Sequence, residues 1–290
     1  MTIHWFPGHM AKAHRMIREQ LKLVDVVIEL LDARIPISSA NPVIEEIIGD
    51  KPHVVALNKA DLAEAAATAS WLAAFRAKGR PVVVLETISG KGSKELAAKA
   101  YDAASEKIAR LAAKGIKARP VRAMILGIPN VGKSSLINRL LGTATVRTGD
   151  KPGVTRGQQW IKIGKNLELL DTPGVLWPKL EDQEAAFKLA VTGAISDEAV
   201  ELEKVIMKLL ALLAQHYSAR LNERYRLTEP LADEMEELLS LIGERRGCKR
   251  SGGVIDLEKA GRIVLSEFRD GKLGRFTLDI PPETKLEQDN

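Results

Sequence analysis

Three short polar motifs lie directly after apolar runs in this 290-residue chain, and their positions constrain the fold more than any other feature. The motifs are Asn58-Lys59-Ala60-Asp61, Gly127–Ser134 (G-x-x-x-x-G-K-S) and Asp171-Thr172-Pro173-Gly174. The runs before them are rich in Val, Ile and Leu, and polar or helix-forming stretches separate them. Buried parallel strands joined by crossover helices have this pattern. The motifs are therefore predicted at the carboxyl edge of a parallel sheet, where ligands of such sheets bind.

The spacing of apolar residues predicts two domains of different architecture. Strands are predicted at residues 24–31, 52–57, 81–85, 122–126, 158–163 and 167–170, with helices at residues 63–78, 92–117 and 135–141. Beyond residue 178 only helical spacing remains, at residues 184–191, 198–217, 230–242 and 257–269. The predicted fold class is α/β, with a doubly wound, mostly parallel sheet domain followed by an all-helical C-terminal domain. We expect these domains at residues 1–177 and 178–282, with a polar tail at residues 283–290.

The motif at Gly127–Ser134 predicts a phosphate-binding loop between a strand and a helix. Its glycines allow backbone N–H groups to turn toward the phosphates, and the N-terminus of the following helix adds a favourable dipole. Lys133 is expected to act in catalysis by placing its charge on the β- and γ-phosphates, and the Ser134 hydroxyl is expected to ligate Mg²⁺. Further phosphate contacts are expected from the rest of the loop, namely Asn130, Val131, Gly132 and Ser135.

The N-K-x-D motif predicts that the base bound together with these phosphates is guanine. The Asp61 carboxylate can accept hydrogen bonds from the guanine N1–H and 2-amino groups, whereas adenine would leave it unpaired. Lys59 is expected to lie along the base plane, and Asn58 is expected to connect this loop to the phosphate loop. GTP and GDP are therefore the expected nucleotides.

Two further stretches complete the expected nucleotide site. Thr87 and Ile88 follow the third strand and are candidates for main-chain contacts behind the base, the alternative being a plain strand-to-helix turn. Asp171 is expected to hold Mg²⁺ through water, and the Gly174 N–H to sense the γ-phosphate. Thr155 lies between the phosphate loop and D-T-P-G, where a second hydroxyl ligand for Mg²⁺ belongs.

The residue that follows D-T-P-G is unusual for an enzyme that hydrolyses GTP. Many GTPases have Gln there to orient the attacking water, whereas this chain has Val175, which cannot hydrogen-bond to water. His9 is one candidate replacement, because an imidazole can orient or deprotonate water, although its spacing alone favours an ordinary residue at a helix start. A K⁺ ion seated by Asn130 is the other candidate, and a hydrogen bond within the loop is its alternative.

The motifs occur in a permuted order. An ordinary GTPase has the phosphate loop first and the base-reading motif near its end, whereas here N-K-x-D comes first and D-T-P-G last. With this order, the Val after D-T-P-G, the opening HWFPGHMAKA at residues 4–13 and the helical C-terminal region, the chain resembles the ribosome biogenesis GTPase A family (YlqF/RbgA type). The resemblance extends over residues 1 to about 280. It implies a circularly permuted P-loop GTPase domain.

The resemblance also implies a function and several residue roles. A protein of this kind is expected to hydrolyse GTP during late maturation of the large (50S) ribosomal subunit, to bind its precursor and rRNA, and to be stimulated by that particle. We further expect this binding to depend on the nucleotide, because D-T-P-G continues directly into the helical domain. The resemblance implies that His9 acts in catalysis, and it supports K⁺ at Asn130. The helical domain is expected to bind RNA through the basic residues of a glycine-rich loop, namely Arg245, Arg246, Lys249 and Arg250.

Composition agrees with a cytoplasmic protein that binds RNA. The net charge of +5 favours an anionic partner, and the single cysteine, Cys248, excludes an internal disulfide framework and favours a reducing compartment. No run approaches the roughly 18 apolar residues of a membrane span, and no lipidation motif is present. We therefore expect neither membrane contact nor a lipid anchor. The expected oligomeric state is a monomer. The alternative to an enzyme is a GTP-binding RNA anchor with negligible turnover, which Val175 favours.

Overall fold

The computed structural model describes residues 15–116, 119–142, 159–172, 182–227 and 231–282. These residues form two compact units, and one of them is built from two separate stretches of the chain. The sheet unit contains the described residues up to 185 and then residues 276–282, and the helical unit contains the described residues from 186 to 275.

The sheet unit is built on six strands, all of which the sequence predicts to within two residues at either end. They are β1 (Val26–Asp32), β2 (His53–Asn58), β3 (Val82–Val84), β4 (Val121–Gly127), β5 (Gln159–Ile163) and β6 (Leu167–Asp171). Their order across the sheet is β3-β2-β1-β4-β6-β5, and every neighbouring pair is parallel except β5 with β6. The predicted fold class is therefore confirmed.

Helices bury the central strands of this sheet. The helices are α1 (residues 15–21), α2 (Pro42–Ile48), α3 (Ala65–Ala77), α4 (Ser93–Ala113) and α5 (Lys133–Leu141). Strand β1 is buried along its whole length, as expected for a parallel strand with both faces covered. Ile17 of α1 packs in one apolar cluster with Val27, while Trp71 of α3 packs in another with Leu31.

The register of the central strands brings three loops to the same edge of the sheet. Asp32 at the end of β1 pairs with Asn58 at the end of β2, and Leu30 pairs with Gly127 at the end of β4. The loop after β1 therefore lies between the N-K-x-D loop and the phosphate loop. This placement follows from the strand order, since β1 is the neighbour of both β2 and β4.

The helical region begins with α6 (Gln183–Val191) and continues through a short 3-10 helix (Asp197–Ala199), α7 (Leu202–Tyr225), α8 (Met235–Arg245) and α9 (Leu257–Arg269). The sequence predicted the end of α7 at residue 217, but the helix continues beyond a kink at Tyr217 (φ −140°, ψ 32°). Residues 231–234, predicted as the start of α8, are not helical, because Glu234 has an extended backbone. None of the described helices is long and apolar enough to cross a membrane.

Close packing of three helices forms the core of the helical unit. A Cβ atom on Gly261 of α9 would lie 2.9 Å from Cγ2 of Ile206 in α7, so these helices approach more closely than a larger residue would allow. Glu267 of α9 accepts hydrogen bonds from Arg224 at 2.8 and 3.0 Å and from Arg246 at 2.5 Å. Burial raises the pKa of Glu267, but the bonds from the two arginines outweigh it and lower the pKa to about 2. This carboxylate thus connects the ends of α7 and α8 to α9.

The end of the described chain differs from the sequence prediction. Residues 276–282 were expected to belong to the helical domain, but they pack on the sheet unit. Phe276 is buried there, and its N–H donates to the Leu62 carbonyl at 3.0 Å. The reason is visible in the hydrogen bonds, because an extended segment satisfies its backbone groups on the loops after β1 and β2.

Candidate guanine-nucleotide site

Two positions of the phosphate loop have no room for a side chain, because neighbouring atoms lie too close. A Cβ atom on Gly127 would lie 2.6 Å from the Leu30 carbonyl oxygen of β1. Gly132 has φ +103°, in the left-handed region, and a Cβ there would lie 2.5 Å from Nδ2 of Asn58. The loop therefore closely approaches the ends of β1 and β2, which explains why the first and last glycines of G-x-x-x-x-G-K-S are needed.

The lysine of this loop is held inside it. Nζ of Lys133 donates to the Gly127 and Ile128 carbonyls at 3.1 and 2.8 Å, and the side chain is buried. Asn130 adopts a left-handed backbone conformation (φ 56°), which asparagine tolerates better than most residues. Ser134 is half-buried in the first turn of α5, and Ser135 beside it is exposed. An ammonium at the centre of a loop that precedes a helix N-terminus is suited to bind phosphate oxygens.

One buried amide connects three loops of the site. Nδ2 of Asn58 donates to the Val131 carbonyl at 2.8 Å, and its Oδ1 accepts a hydrogen bond from the Thr87 hydroxyl at 2.6 Å. Both partners of this amide lie in motifs that the sequence singled out. The predicted connection between N-K-x-D and the phosphate loop is thus present, and the loop after β3 joins it.

Lys59 is oriented by a buried carboxylate that sequence reasoning missed. Its Nζ lies 3.2 Å from Oδ2 of Asp32, at the end of β1, and its backbone is left-handed (φ 59°). Burial lowers the pKa of Lys59, and the nearby Asp32 opposes that effect. Arg34 binds the same carboxylate through two bonds of 2.9 and 2.8 Å. Burial alone would raise the pKa of Asp32, but Arg34 and Lys59 hold it well below its usual range.

The loop after β3 presents one polar and one apolar side chain. Thr87 is buried through its bond to Asn58, whereas the next residue, Ile88, is 87% exposed. Arg139 of α5 donates to the Ser89 carbonyl and so connects this loop to the helix that follows the phosphate loop. The loop is therefore anchored on both sides and leaves an apolar side chain at the rim of the site.

The start of the D-T-P-G motif is anchored to the strand that leads into the phosphate loop. Asp171 is the last residue of β6, and the buried Thr172 hydroxyl donates to the Ile125 carbonyl in β4. The first two residues of the motif thus lie at the edge where the phosphate loop begins. All three sequence motifs converge there.

Comparisons with known proteins agree with this geometry. The family of 50S ribosome-binding GTPases (MMR_HSR1) matches residues 122–240. Ribosome biogenesis GTPase A from Bacillus cereus is 52% identical over 283 residues, covering 98% of this chain and 95% of that protein. GDP-bound TM YlqF superimposes with a TM-score of 0.68 at 26% identity, covering 92% of this chain and 99% of that chain. GNP-bound YlqF from T. maritima gives a TM-score of 0.66 at 26% identity, covering 94% and 100%.

The chain belongs to the ribosome biogenesis GTPase A family. The resemblance noted in the sequence is thereby confirmed, and membership identifies the chain as a GTPase that binds guanine nucleotides. The binding roles of individual residues remain predictions, although Asn58, Lys59, Thr87 and Lys133 are brought to one edge of the sheet.

Several predicted site residues lie outside the described part of the chain. These are His9, Thr155 and Gly174, and the side chain of Asp171 is also outside it. Their predicted roles in catalysis, Mg²⁺ ligation and γ-phosphate sensing therefore stay predictions. Helix α1 does follow His9 in the chain, as the sequence suggested.

The four predicted RNA-binding residues of this GTPase differ in their surroundings. Arg245, the last residue of α8, and Lys249, in the loop that follows it, are exposed, and a β-bridge between Lys249 and Ile255 closes that loop. Arg246 is half-buried, bonds to Glu267 and lies over the Tyr225 ring, with its Cζ 5.2 Å from the ring centroid. Arg250 is exposed but pairs with Asp256, the residue that caps α9, at 2.8 Å. Arg246 therefore has a structural role that its sequence position did not reveal.

Proposed function

We propose that this protein hydrolyses GTP during late maturation of the large (50S) ribosomal subunit and binds its precursor and rRNA in a nucleotide-dependent way. The observation that carries the proposal is the junction at Asn58, which connects the N-K-x-D loop, the phosphate loop and the Thr87 loop into one site. Family membership supplies the ribosomal context. We further propose that the protein acts in the cytoplasm as a monomer.

The proposed binding mode assigns each loop to one part of the nucleotide. Asp61 accepts hydrogen bonds from the guanine edge, while Lys59 and the Ile88 loop enclose the base. Lys133 and the backbone N–H groups of Gly132 to Ser135 bind the phosphates, to which α5 directs its N-terminus. Because Lys133 already lies within the loop, it needs little reorganisation to reach the phosphate oxygens.

Catalysis is proposed to depend on cations and on the N-terminal histidine. Mg²⁺ held by Ser134, Thr155 and, through water, Asp171 would neutralise charge on the β- and γ-phosphates. A half-buried loop hydroxyl at the start of α5 fits such a hard cation. Asn130 is proposed to seat K⁺ beside the phosphates. His9 is proposed to orient the attacking water in place of the side chain that Val175 lacks, and the Gly174 N–H to bind the γ-phosphate.

The helical unit is proposed to bind rRNA. The support is the exposed basic loop between α8 and α9, together with the positive net charge of the chain. Arg245 at the end of α8 and Lys249 in this loop are the best placed to meet phosphates. Arg250 would have to exchange its bond to Asp256, and Arg246 contributes its charge from a partly buried position.

The deciding experiment measures GTP turnover with and without purified large-subunit particles, in K⁺ and in Na⁺ buffer. The wild type is compared with His9→Ala and with His216→Ala, an exposed histidine of α7 that serves as control. We expect particles to accelerate turnover by about tenfold or more in K⁺, and His9→Ala to lose this gain with unchanged nucleotide affinity. Turnover that no particle accelerates would refute the proposal, and equal stimulation in both variants would remove His9 from it.

A further inference from the structure

An extended segment at the end of the described chain lies against the base-reading loop. We call residues Phe276–Ile280 the C-terminal strap. In the chain the strap follows the helical unit, yet it belongs to the sheet unit. Its backbone and side chains bond to two loops at the nucleotide edge, one after β1 and one after β2.

The strap holds the N-K-x-D loop immediately after the residue that reads guanine. The Phe276 N–H donates to the carbonyl of Leu62, the residue that follows Asp61, at 3.0 Å. The Thr277 hydroxyl accepts a hydrogen bond from the Glu64 N–H at 3.1 Å. These two bonds fix the backbone on the C-terminal side of Asp61, before α3 begins at Ala65.

The same strap holds the loop that orients Lys59. The Leu278 N–H donates to the Arg34 carbonyl at 2.8 Å. The Asp279 carboxylate accepts hydrogen bonds from the N–H groups of Ile37 and Ser38, both at 2.8 Å, and from the Ser38 hydroxyl at 2.7 Å. One carboxylate thus fixes the turn after Arg34 through three donors.

That turn is connected to the base-reading loop by a short chain of bonds. Ser39, the next residue in the turn, accepts a hydrogen bond at its hydroxyl from the Asp32 N–H at 3.0 Å. The Asp32 carboxylate in turn pairs with Lys59 at 3.2 Å. Three polar contacts, through Ser38, Ser39 and Asp32, therefore connect Asp279 to the lysine of N-K-x-D.

Because the Asp279 carboxylate is buried, its removal by one substitution should disturb the turn that it binds. Asp279 is 5% exposed, and its carbonyl accepts a hydrogen bond from Nε1 of Trp71 at 3.3 Å. Removing a buried acceptor leaves its donors without a partner, which costs more than the bond contributes. Here the donors are two backbone N–H groups and the Ser38 hydroxyl, which together set the shape of the Ile37–Ser39 turn.

We propose that the C-terminal strap is a positioning element for guanine recognition, and that Asp279 is its central positioning residue. The strap bonds to the base-reading loop directly at Leu62 and indirectly through the turn that supports Asp32. It therefore fixes the position from which Asp61 contacts the base. The inference rests on the proposed contact between Asp61 and guanine. It assigns to the C-terminal strap a role in selecting the nucleotide.

The test compares affinities for GDP and for inosine diphosphate, which lacks the 2-amino group that Asp61 would bind. Full-length wild type is compared with Asp279→Ala and with Asp270→Ala, an aspartate at the end of α9 that serves as control. We expect Asp279→Ala to bind GDP about tenfold more weakly and inosine diphosphate only slightly more weakly, so the preference for GDP shrinks. Thr277→Val, which removes only the acceptor for the Glu64 N–H, should shrink it to a smaller extent.

The outcomes separate positioning from a purely structural role. Equal weakening for both nucleotides, together with a lower nucleotide-free Tm, would overturn the inference, and so would an unchanged preference for GDP. If Asp279→Ala fails to fold, the ratio of GDP affinity to inosine diphosphate affinity in Thr277→Val decides the question. A wild type that binds both nucleotides equally would refute the contact between Asp61 and guanine itself, and the inference with it.

Discussion

At the scale of single residues, Gly132 offers a sharp test of how the site is built. Its φ is +103°, and a Cβ would lie 2.5 Å from the Asn58 amide that connects the three loops. Gly132→Ala should therefore displace Asn58 and lower GDP affinity by about a hundredfold, because the clash adds to the cost of the left-handed backbone. Isothermal titration with GDP measures the effect.

Gly142 provides the matched control at the other end of α5. It also has a positive φ, +72°, but a Cβ there would meet no atom within 4 Å. Gly142→Ala should cost about 1 kcal/mol of stability and leave GDP affinity unchanged. Equal losses of affinity in the two variants would mean that the nearby amide is unimportant and that backbone strain alone explains the effect.

How much of the site the sequence predicts depends on whether its residues lie within motifs. Asn58 and Lys133 could be identified because each belongs to a short motif whose residues have known contacts with the nucleotide or with the other loop. Asp32 and Arg34 belong to none of the motifs, and their importance arises from the register that sets Asp32 beside Asn58. The available signal is a charged Asp-Ala-Arg at the end of a mostly apolar run.

At the scale of elements, a buried carboxylate connects the starts of two strands. Asp25 precedes β1 and accepts hydrogen bonds from Arg119 at 2.7 and 3.0 Å and from the Arg122 N–H, at the start of β4, at 3.0 Å. Lys107 of α4 pairs with it at 2.8 Å. Burial raises the pKa of Asp25, but the bonds from Arg119 and Lys107 prevail and lower it from 3.8 to about 2.

This shift predicts how acid weakens the sheet unit. A depressed pKa in the folded state stabilises the fold above pH 3.8, and that contribution is lost as the pH falls toward 2. The difference in unfolding free energy between wild type and Asp25→Asn should therefore narrow by roughly 2 kcal/mol between pH 5 and pH 2. Urea unfolding at several pH values measures it. Parallel curves for the two proteins would contradict the assigned role of Asp25.

Elements were predictable from sequence where burial leaves a regular pattern. The six strands are apolar runs between turns, and the long helices have clear spacing. Helix α2 was not predicted because seven residues are too few to show a helical period of apolar residues. The C-terminal strap was not predicted either, since its five extended residues have no helical spacing and bond to loops distant in sequence. Only tertiary contacts reveal where such a segment belongs.

At the scale of the whole molecule, the chain leaves the sheet unit after residue 185 and returns to it at Phe276. The last described residues should therefore share the stability of the sheet unit and not that of the neighbouring helix α9. A ligand that binds only the folded state stabilises the structure it contacts, by about 2.7 kcal/mol at a hundred times its Kd. GDP is expected to act in this way on the sheet unit.

Hydrogen exchange at single-amide resolution can test this organisation. We expect GDP to slow exchange of the Phe276 and Leu278 amides together with amides of β2, because the former donate to loops of the nucleotide site. Amides in the middle of α9, such as Val264, should be much less affected. The Gly132→Ala variant is the control, since it should bind too little GDP to protect either region. If the Phe276 and Leu278 amides respond as α9 does, the strap unfolds with the helical unit, and its proposed influence on guanine recognition loses its physical basis.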